Sequence, residues 1–240
     1  MIDIHSHILP GVDDGAKTLE DALSMLRMAV ANGITTQVLT SHIQTGRYDN
    51  SPTSLRKSFS DFVDVVNNHK IPIRLLLSAE VRIEPELLSL LEQDDFPWLG
   101  MWDDKRAFLL EMPHNHLPVG SLNLVKHLIE HDIMPVIVHP ERNRECQQNI
   151  NKLVPLIDAG CKIQITAGSL TSNFGHKAKD TAVQLLKAGM VMFLATDSHS
   201  PSYRPPDLMS GLKIAEKIIG SKKANMLVND TPKKLCQLSQ

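Results

Sequence analysis

The chain has only three cysteines, Cys146, Cys161 and Cys236. They are too few and too scattered for a disulfide framework, so a reducing compartment, the cytoplasm, is expected. None is followed by the phosphate-cradling arginine that a cysteine-based phosphatase needs, which excludes that mechanism. A GxxxxGKS/T loop is also missing, and with it nucleotide hydrolysis of the P-loop kind. No apolar run approaches the about 20 residues of a membrane span. The N-terminus lacks a basic stretch leading into an apolar one, so residues 1–7 are read as working protein and no membrane insertion is expected. With a net charge of -2, the chain carries no electrostatic footprint for nucleic acid. It also has no linker-like composition and no internal repeat. One α/β domain covering residues 1–240 is the expectation.

What the chain does contain is an alternation of strand-like and helical patterns. Strands are predicted at 2–5, 34–40, 71–79, 107–110, 134–138, 162–165 and 190–195. Thr18 with Asp21 reads as a helix cap. It leads an apolar stripe of Leu19, Leu23, Leu26 and Val30 that stops at Gly33. Ser51-Pro52 and Ser121 open further helices, and Gly160 and Gly189 sit where others end. Seven strands alternating with helices imply parallel βα units.

The polar residues then fall into place. His5, His42, Glu80, Glu111, His139, Thr166 and Asp197 each stand at the C-terminal end of a predicted strand, about one βα unit apart. His7 follows His5 at i+2, and His199 follows Asp197 in the same way. An open sheet would hold its first and last strands apart. Only a closed barrel brings His5 and His7 to Asp197 and His199 on one rim. Adding Asp14 of Gly-Val-Asp-Asp-Gly gives five imidazoles and four carboxylates, a set of the size that three divalent ions sharing a bridging carboxylate would use. Clustered carboxylates without cations would be strongly unfavourable in a partly dry cleft.

Several residues have plainer readings. Asp13 is a loop residue or supports the ligands. His114 and His116 are read as rim or solvated histidines, and His69, His127, His131 and His176 as exposed. Arg142 and Arg204 either grip an anionic substrate or pair with Glu141 and Asp207. The segment 44–51, with Arg47 and Tyr48, either lies over the substrate or simply connects.

HSH at 5–7, GVDDG around Asp14, TSH ending at His42, AEV around Glu80, LLEMP around Glu111, HPERN from His139 and TDSH ending at His199 together resemble the PHP (polymerase and histidinol phosphatase) superfamily. Within it they are most similar to the CpsB/CapC branch of capsule-biosynthesis tyrosine phosphatases. The one local departure is Ser198, where alanine more often separates Asp from His. The resemblance implies a distorted seven-stranded (β/α)7 TIM-like barrel with three divalent metals, manganese foremost and iron, zinc or cobalt as alternatives. It implies His5, His7, Glu80 and Asp197 on the first metal, Glu80 bridging to a second held by Glu111 and His139, and Asp14, His42 and His199 on the third. Arg142 and Arg204 match positions that contact phosphate. The implied reaction is attack of a metal-bridging hydroxide on phosphotyrosine in the tail of a bacterial tyrosine kinase that regulates capsule or exopolysaccharide synthesis. A small-molecule phosphatase acting on a substrate such as histidinol phosphate is the second reading, and a non-catalytic kinase-binding barrel the third. An amidohydrolase fits poorly, since its strand-four lysine is not evident.

Overall fold

A computed structural model describes residues 1–93 and 95–238. Its ten strands are β1 (Ile2–Asp3), β2 (Thr36–Leu39), β3 (His42–Ile43), β4 (Arg74–Leu77), β5 (Glu80–Arg82), β6 (Gly100–Trp102), β7 (Lys105–Glu111), β8 (Ile133–Val138), β9 (Lys162–Thr166) and β10 (Phe193–Ala195). Two predicted strands, 34–40 and 71–79, form only as β2 and β4, and each is followed beyond its predicted end by a short strand: β3 after a break at Thr40-Ser41, and β5 after a break at Ser78-Ala79. The breaks coincide, because β2 pairs with β4 and β3 with β5, so the whole ladder steps at one level.

Parallel pairing continues β5–β7–β8–β9–β10, and β1 pairs with β2. A parallel bridge between Ser6 and Ser198 closes the ring, with His7 N donating to Ser198 O (2.8 Å) and Asp197 N to His5 O (2.8 Å). The result is the distorted seven-stranded parallel barrel that the resemblance implies, closed as the convergence of His5 and His7 with Asp197 and His199 requires. Below that bridge a buried carboxylate replaces ladder hydrogen bonds. Asp3 accepts from Thr196 N (3.0 Å), Thr196 Oγ1 (2.5 Å) and Gln37 Nε2 (2.8 Å). Burial raises its pKa in spite of those donors.

β6 is not predicted from the sequence. It pairs antiparallel with β7 through a hairpin whose Asp103 and Asp104 both have positive φ (45° and 65°), the requirement of a type I′ turn. Two caps form as read, and the helix Ser121–Glu130 begins at Ser121 as expected but with Gly120 as its cap and no side-chain cap bond. Thr18 accepts from Asp21 N at the start of the helix Leu19–Ala31, and Ser51 and Ser54 form a reciprocal box before the helix Pro52–Asn68. Gly33, Gly160 and Gly189 follow helix ends with positive φ. The stripe on the first of these helices needs one correction. Leu19, in the first turn beyond the cap, is 43% exposed, and Ala22, Leu23, Met25, Leu26 and Ala29 carry the buried face.

Alternation divides the core. Phe108 and Leu110 of β7 and Ile133 and Ile137 of β8 pack with the helices outside. Ala107, Leu109, Met134, Val136 and Val138 pack on the opposite face with Phe193 and Ala195. Glu111 shares the parity of Ala107 and Leu109, so the inner face of β7 delivers it to the rim. Among the described residues no helix is long and apolar enough to cross a membrane.

Candidate metal centre

Each ligand-type side chain reaches the rim by a local device. β1 runs straight into His5 and His7, whose ring nitrogens approach each other to 3.3 Å. His42 restarts the second strand after its break, and Asn50 Nδ2 donates to its carbonyl at 2.8 Å. Glu80 does the same for the third strand. His139 and Asp197 follow β8 and β10 in the left-handed region, with φ of 36° and 50°. Such a conformation is costly for a residue with a Cβ and marks a position held by its surroundings.

The nine candidates from the sequence do converge. Buried Glu80 is the hub: its Oε2 lies 3.1 Å from His5 Nε2, 3.1 Å from His7 Nε2 and 3.2 Å from His42 Nδ1, and its Oε1 is 2.7 Å from His139 Nε2. Asp197 Oδ1 stands 3.4 Å from His5 Nε2 and 3.3 Å from His7 Nε2. Asp14 Oδ1 is 3.5 Å from Nε2 of both His42 and His199. Donors about 2.0–2.2 Å from one ion stand about 3.0–3.5 Å apart, so these separations suit ligation.

Donor atoms come within 4.8 Å of one another in three groups: His5, His7, Glu80 and Asp197; His7, Asp14, His42 and His199; and His42, Glu80 and Glu111. His7 therefore joins the set of Asp14, His42 and His199. His139 lies outside all three groups; its Nε2 meets Glu80 Oε1, and its ring lies 5.7 Å from that of His5. Among the nine candidates two buried atoms, His42 Nδ1 and Asp197 Oδ1, have no hydrogen-bond partner. Orphaned acceptors among imidazoles and carboxylates are what a divalent cation would satisfy, and the residues fit such ions.

Electrostatics point the same way. Burial and the neighbouring Glu80 carboxylate push Glu111 up to about 7, which reflects uncompensated negative charge. Burial lowers His42 to about 4 and, with Arg142 beside it, His139 to about 3, so both rings are neutral and able to ligate near neutral pH. Burial also opposes the ionised form of Asp13, but His7 and two hydrogen bonds hold it at about 2.

Supporting contacts set the tautomers. Asp13 Oδ2 takes His7 Nδ1 at 2.8 Å and His42 N at 3.0 Å, leaving His7 Nε2 turned to the cluster. Asp13 is thus a supporting residue. Gly15 passes so close to His7 that an added Cβ would stand 1.9 Å from the His7 carbonyl oxygen. Gln164 Oε1 lies 2.8 Å from His5 Nδ1 and does for His5 what Asp13 does for His7.

Arg142 and Arg204 meet on Asp197 and not on Glu141 or Asp207. Arg142 Nη2 bonds Asp197 and Thr166 Oγ1 (2.7 Å), and Arg204 Nη2 bonds Asp197 Oδ2 (2.5 Å) and its carbonyl (2.9 Å). Glu141 is occupied by Thr166 N and Ser169 Oγ, and Asp207 caps the helix Leu208–Ile219. Both guanidiniums also face the ring of Phe174, at 4.2 and 5.2 Å. Phe174, Gln164 and Arg82, which holds Glu111 at 2.8 Å, are absent from the sequence reading. Nothing in their local pattern separates them from ordinary core or surface residues. His114 lines the cleft and is exposed, as a rim histidine would be. Burial pushes the thiols of Cys146, Cys161 and Cys236 up to about 12, so none supplies a nucleophile.

Comparison with known proteins agrees with this arrangement. Residues 1–237 match the family model described as capsular polysaccharide synthesis, CpsB/CapC. The chain is 36% identical over 230 residues to the tyrosine-protein phosphatase YwqE of Bacillus subtilis, covering 96% of this chain and 89% of that protein. It is 30% identical over 244 residues to the tyrosine-protein phosphatase CpsB of Streptococcus pneumoniae, covering 98% of each. A crystal structure from work on YwqE and CpsB, described there as unique metal-dependent tyrosine phosphatases, superposes with a TM-score of 0.91 at 34% identity over 100% of this chain and 96% of that one. The phosphotriesterase homology protein of Escherichia coli shares the fold alone, with a TM-score of 0.59 at 11% identity over 94% of this chain and 92% of that one. The chain is a member of the CpsB/CapC family of capsular polysaccharide synthesis proteins.

Proposed function

We propose that this protein is a metal-dependent protein-tyrosine phosphatase of the cytoplasm, acting through residues 1–240 as one domain. Its substrate is phosphotyrosine in the tail of a bacterial tyrosine kinase that regulates capsule or exopolysaccharide synthesis. One observation carries this reading. Glu80, buried and without a Lys or Arg partner among the described residues, has four imidazoles within 3.2 Å at the floor of a cleft walled by arginines.

His5, His7, Glu80 and Asp197 would hold one divalent ion. Asp14, His42 and His199 would hold another beside His7, and Glu80 and Glu111 with His139 a third. Manganese is the first choice, although the same donors accept iron, zinc or cobalt. When bound, such ions supply water activation near neutral pH and charge neutralisation at phosphorus.

The protein's own residues do the rest. Asp13 and Gln164 hold His7 and His5 with Nε2 facing the cleft. Arg142 and Arg204 present planar forks that match phosphate oxygens, and Phe174 fixes the planes of both. Asp197 turns Oδ1 to His5 and His7 and Oδ2 to the two guanidiniums, so the one carboxylate would hold an ion while it positions both arginines beside it. A phenol of pKa about 10 leaves more readily than an alkyl alcohol, so no protein acid is required at the leaving oxygen.

The test is phosphate release from a phosphotyrosine peptide and, in parallel, from histidinol phosphate. It uses chelator-stripped protein reloaded with manganese and the His139→Ala variant. Metal-dependent release from the peptide, lost in the variant, is the expected outcome. Preferential release from histidinol phosphate would keep the centre but replace the substrate. Binding of fewer than one metal per chain, with no release from either compound, would favour a non-catalytic kinase-binding barrel.

A further inference from the structure

Four arginines line the cleft: Arg47, Arg82, Arg142 and Arg204. Three have carboxylate partners, Arg82 on Glu111 and Arg142 and Arg204 on Asp197. Arg47 makes no ion pair among the described residues and is exposed, whereas the ligand cluster below it is largely buried. Its position is nonetheless defined. Its guanidinium carbon lies 5.0 Å from the centre of the Tyr48 ring, and that ring stacks on His42 at 5.1 Å with planes 8° apart.

The hairpin that carries this stack is pinned at several points. Gln44 and Tyr48 exchange backbone hydrogen bonds of 3.1 and 2.8 Å, and Gly46 turns between them with a φ of 75°. Glu84 accepts from Gln44 Nε2 and Thr45 N, both at 3.2 Å, and Asn50 Nδ2 bonds the carbonyls of His42 and Val12 at 2.8 and 2.9 Å. These anchors fix both ends of the loop to the barrel rim. Arg47 lies against the Tyr48 ring and hydroxyl and has no carboxylate partner among the described residues, which leaves N–H donors of its fork for another group.

We propose that Arg47 is a specificity-determining residue that reads carboxylate side chains flanking the phosphotyrosine, so that acidic substrate segments are preferred. This inference rests on the phosphatase reading and adds a substrate class to it. The phosphate belongs at the buried floor, beside Arg142, Arg204 and the ligand set. The tyrosine ring rises from there through the mouth, and only the peptide beyond the ring reaches the level of Arg47. Asp14, half exposed nearby, is a member of the proposed ligand set and so does not neutralise Arg47. Glu84 is engaged by the hairpin itself. The positive charge at the mouth is left for the substrate.

An exposed guanidinium–carboxylate pair supports about a two- to five-fold preference, weakened by salt. The experiment measures kcat and KM for the manganese-loaded full chain on three substrates. They are a phosphotyrosine peptide flanked by glutamates, its glutamine twin, and p-nitrophenyl phosphate, which has no flanks. Wild type, Arg47→Gln and Arg47→Glu are compared at low and raised salt. Binding of a fluorescent phosphonate analogue of the glutamate peptide is followed alongside.

Wild type is expected to favour the glutamate peptide about two- to five-fold, through KM and at low salt only. Arg47→Gln should level the two peptides and Arg47→Glu should reverse their order, with matching changes in analogue binding. The proposal falls if wild type shows no preference or if the preference survives in Arg47→Gln. It falls equally if the variants lose p-nitrophenyl phosphate turnover in the same proportion as the glutamate peptide. Failure of wild type on all three substrates would remove the phosphatase reading itself, and this inference with it.

Discussion

The two halves of the barrel are built differently. β7, β8 and β9 run unbroken for seven, six and five residues, while β1 and β3 have two each and β5 has three. The continuous half contributes two ligand candidates, Glu111 after β7 and His139 after β8, and β9 ends in Thr166, while Asp197 and His199 follow the short β10 at the seam. The interrupted half and its loop supply His5, His7, Asp14, His42 and Glu80. An unbroken ladder satisfies its own backbone and leaves only its last residue free to turn into the rim. A ladder that steps, as at Thr40-Ser41 and Ser78-Ala79, restarts with a polar residue already inside the mouth. Stability is therefore concentrated in the first half and chemistry in the second, and mutations should separate the two.

The largest effect is expected at the hub of the interrupted half. Glu80→Gln keeps the volume but removes the charge shared by His5, His7, His42 and His139. Phosphotyrosine turnover should fall by about 10²–10³-fold with bound manganese reduced and the circular dichroism spectrum intact. Near-normal turnover at full metal load would end the division proposed here.

Phe108→Ala in β7 should act in the opposite sense. Its side chain is fully buried, with Phe96 and Trp98 edge-on to it at 6.2 and 6.4 Å. Denaturant titration should show a loss of about 3–5 kcal/mol, and the protein that remains folded should retain most of its metal affinity. An equal loss of metal affinity in the folded fraction would mean that the halves are coupled.

A smaller effect is expected where the halves meet. Gln164 of β9 reaches across to His5 Nδ1. Gln164→Leu should weaken manganese binding about 10–100-fold, measured by competition with a chelator, while Gln164→Glu, which keeps the acceptor, should weaken it less. Equal losses in the two variants would argue for packing instead of tautomer control.

The smallest effect concerns the thiols. Burial raises Cys146, Cys161 and Cys236 to about 12, so the thiolate fraction at about pH 8 is far below that of a free cysteine. A thiol reagent should leave the fully buried Cys146 and Cys161 unlabelled in the native protein, with Cys236, partly exposed, reacting slowly at most and activity unchanged, and should label all three after unfolding. Loss of activity on native labelling would contradict the metal-centred reading.

Much of this architecture is legible in one dimension. The polar residues at successive strand ends stand out because an apolar strand has no other reason to finish in His, Glu or Asp. Thr18, Ser51 and Gly33 mark helix ends through short-range hydrogen bonds and backbone freedom. The strand breaks are invisible, since Thr40, Ser41, Ser78 and Ala79 fit a strand as readily as a step. β6 is missed because its signal is a positive φ at Asp103 and Asp104, a conformation that two aspartates permit but do not demand. Phe174 reads as an ordinary aromatic until two arginines face its ring, and the segment of Arg47 and Tyr48 reads equally as a cover over the substrate or a connection until Tyr48 is seen stacked on His42.

The sequence by itself determined the alternation of elements, the caps, and the set of nine donor side chains with their spacing of one βα unit. All of these depend on periodicity and on neighbours a few residues away. Only the tertiary structure decided that Glu80 serves four imidazoles, that His7 lies against two donor groups, and that Arg142 and Arg204 converge on Asp197. Those contacts join residues brought together by closure of the ring, at a seam where backbone bonds link His5 to Asp197 and His7 to Ser198. The left-handed turn at Asp197 is held by that same closure and the one at His139 by its backbone bond to Gln164 on the neighbouring strand, neither of which a local pattern encodes.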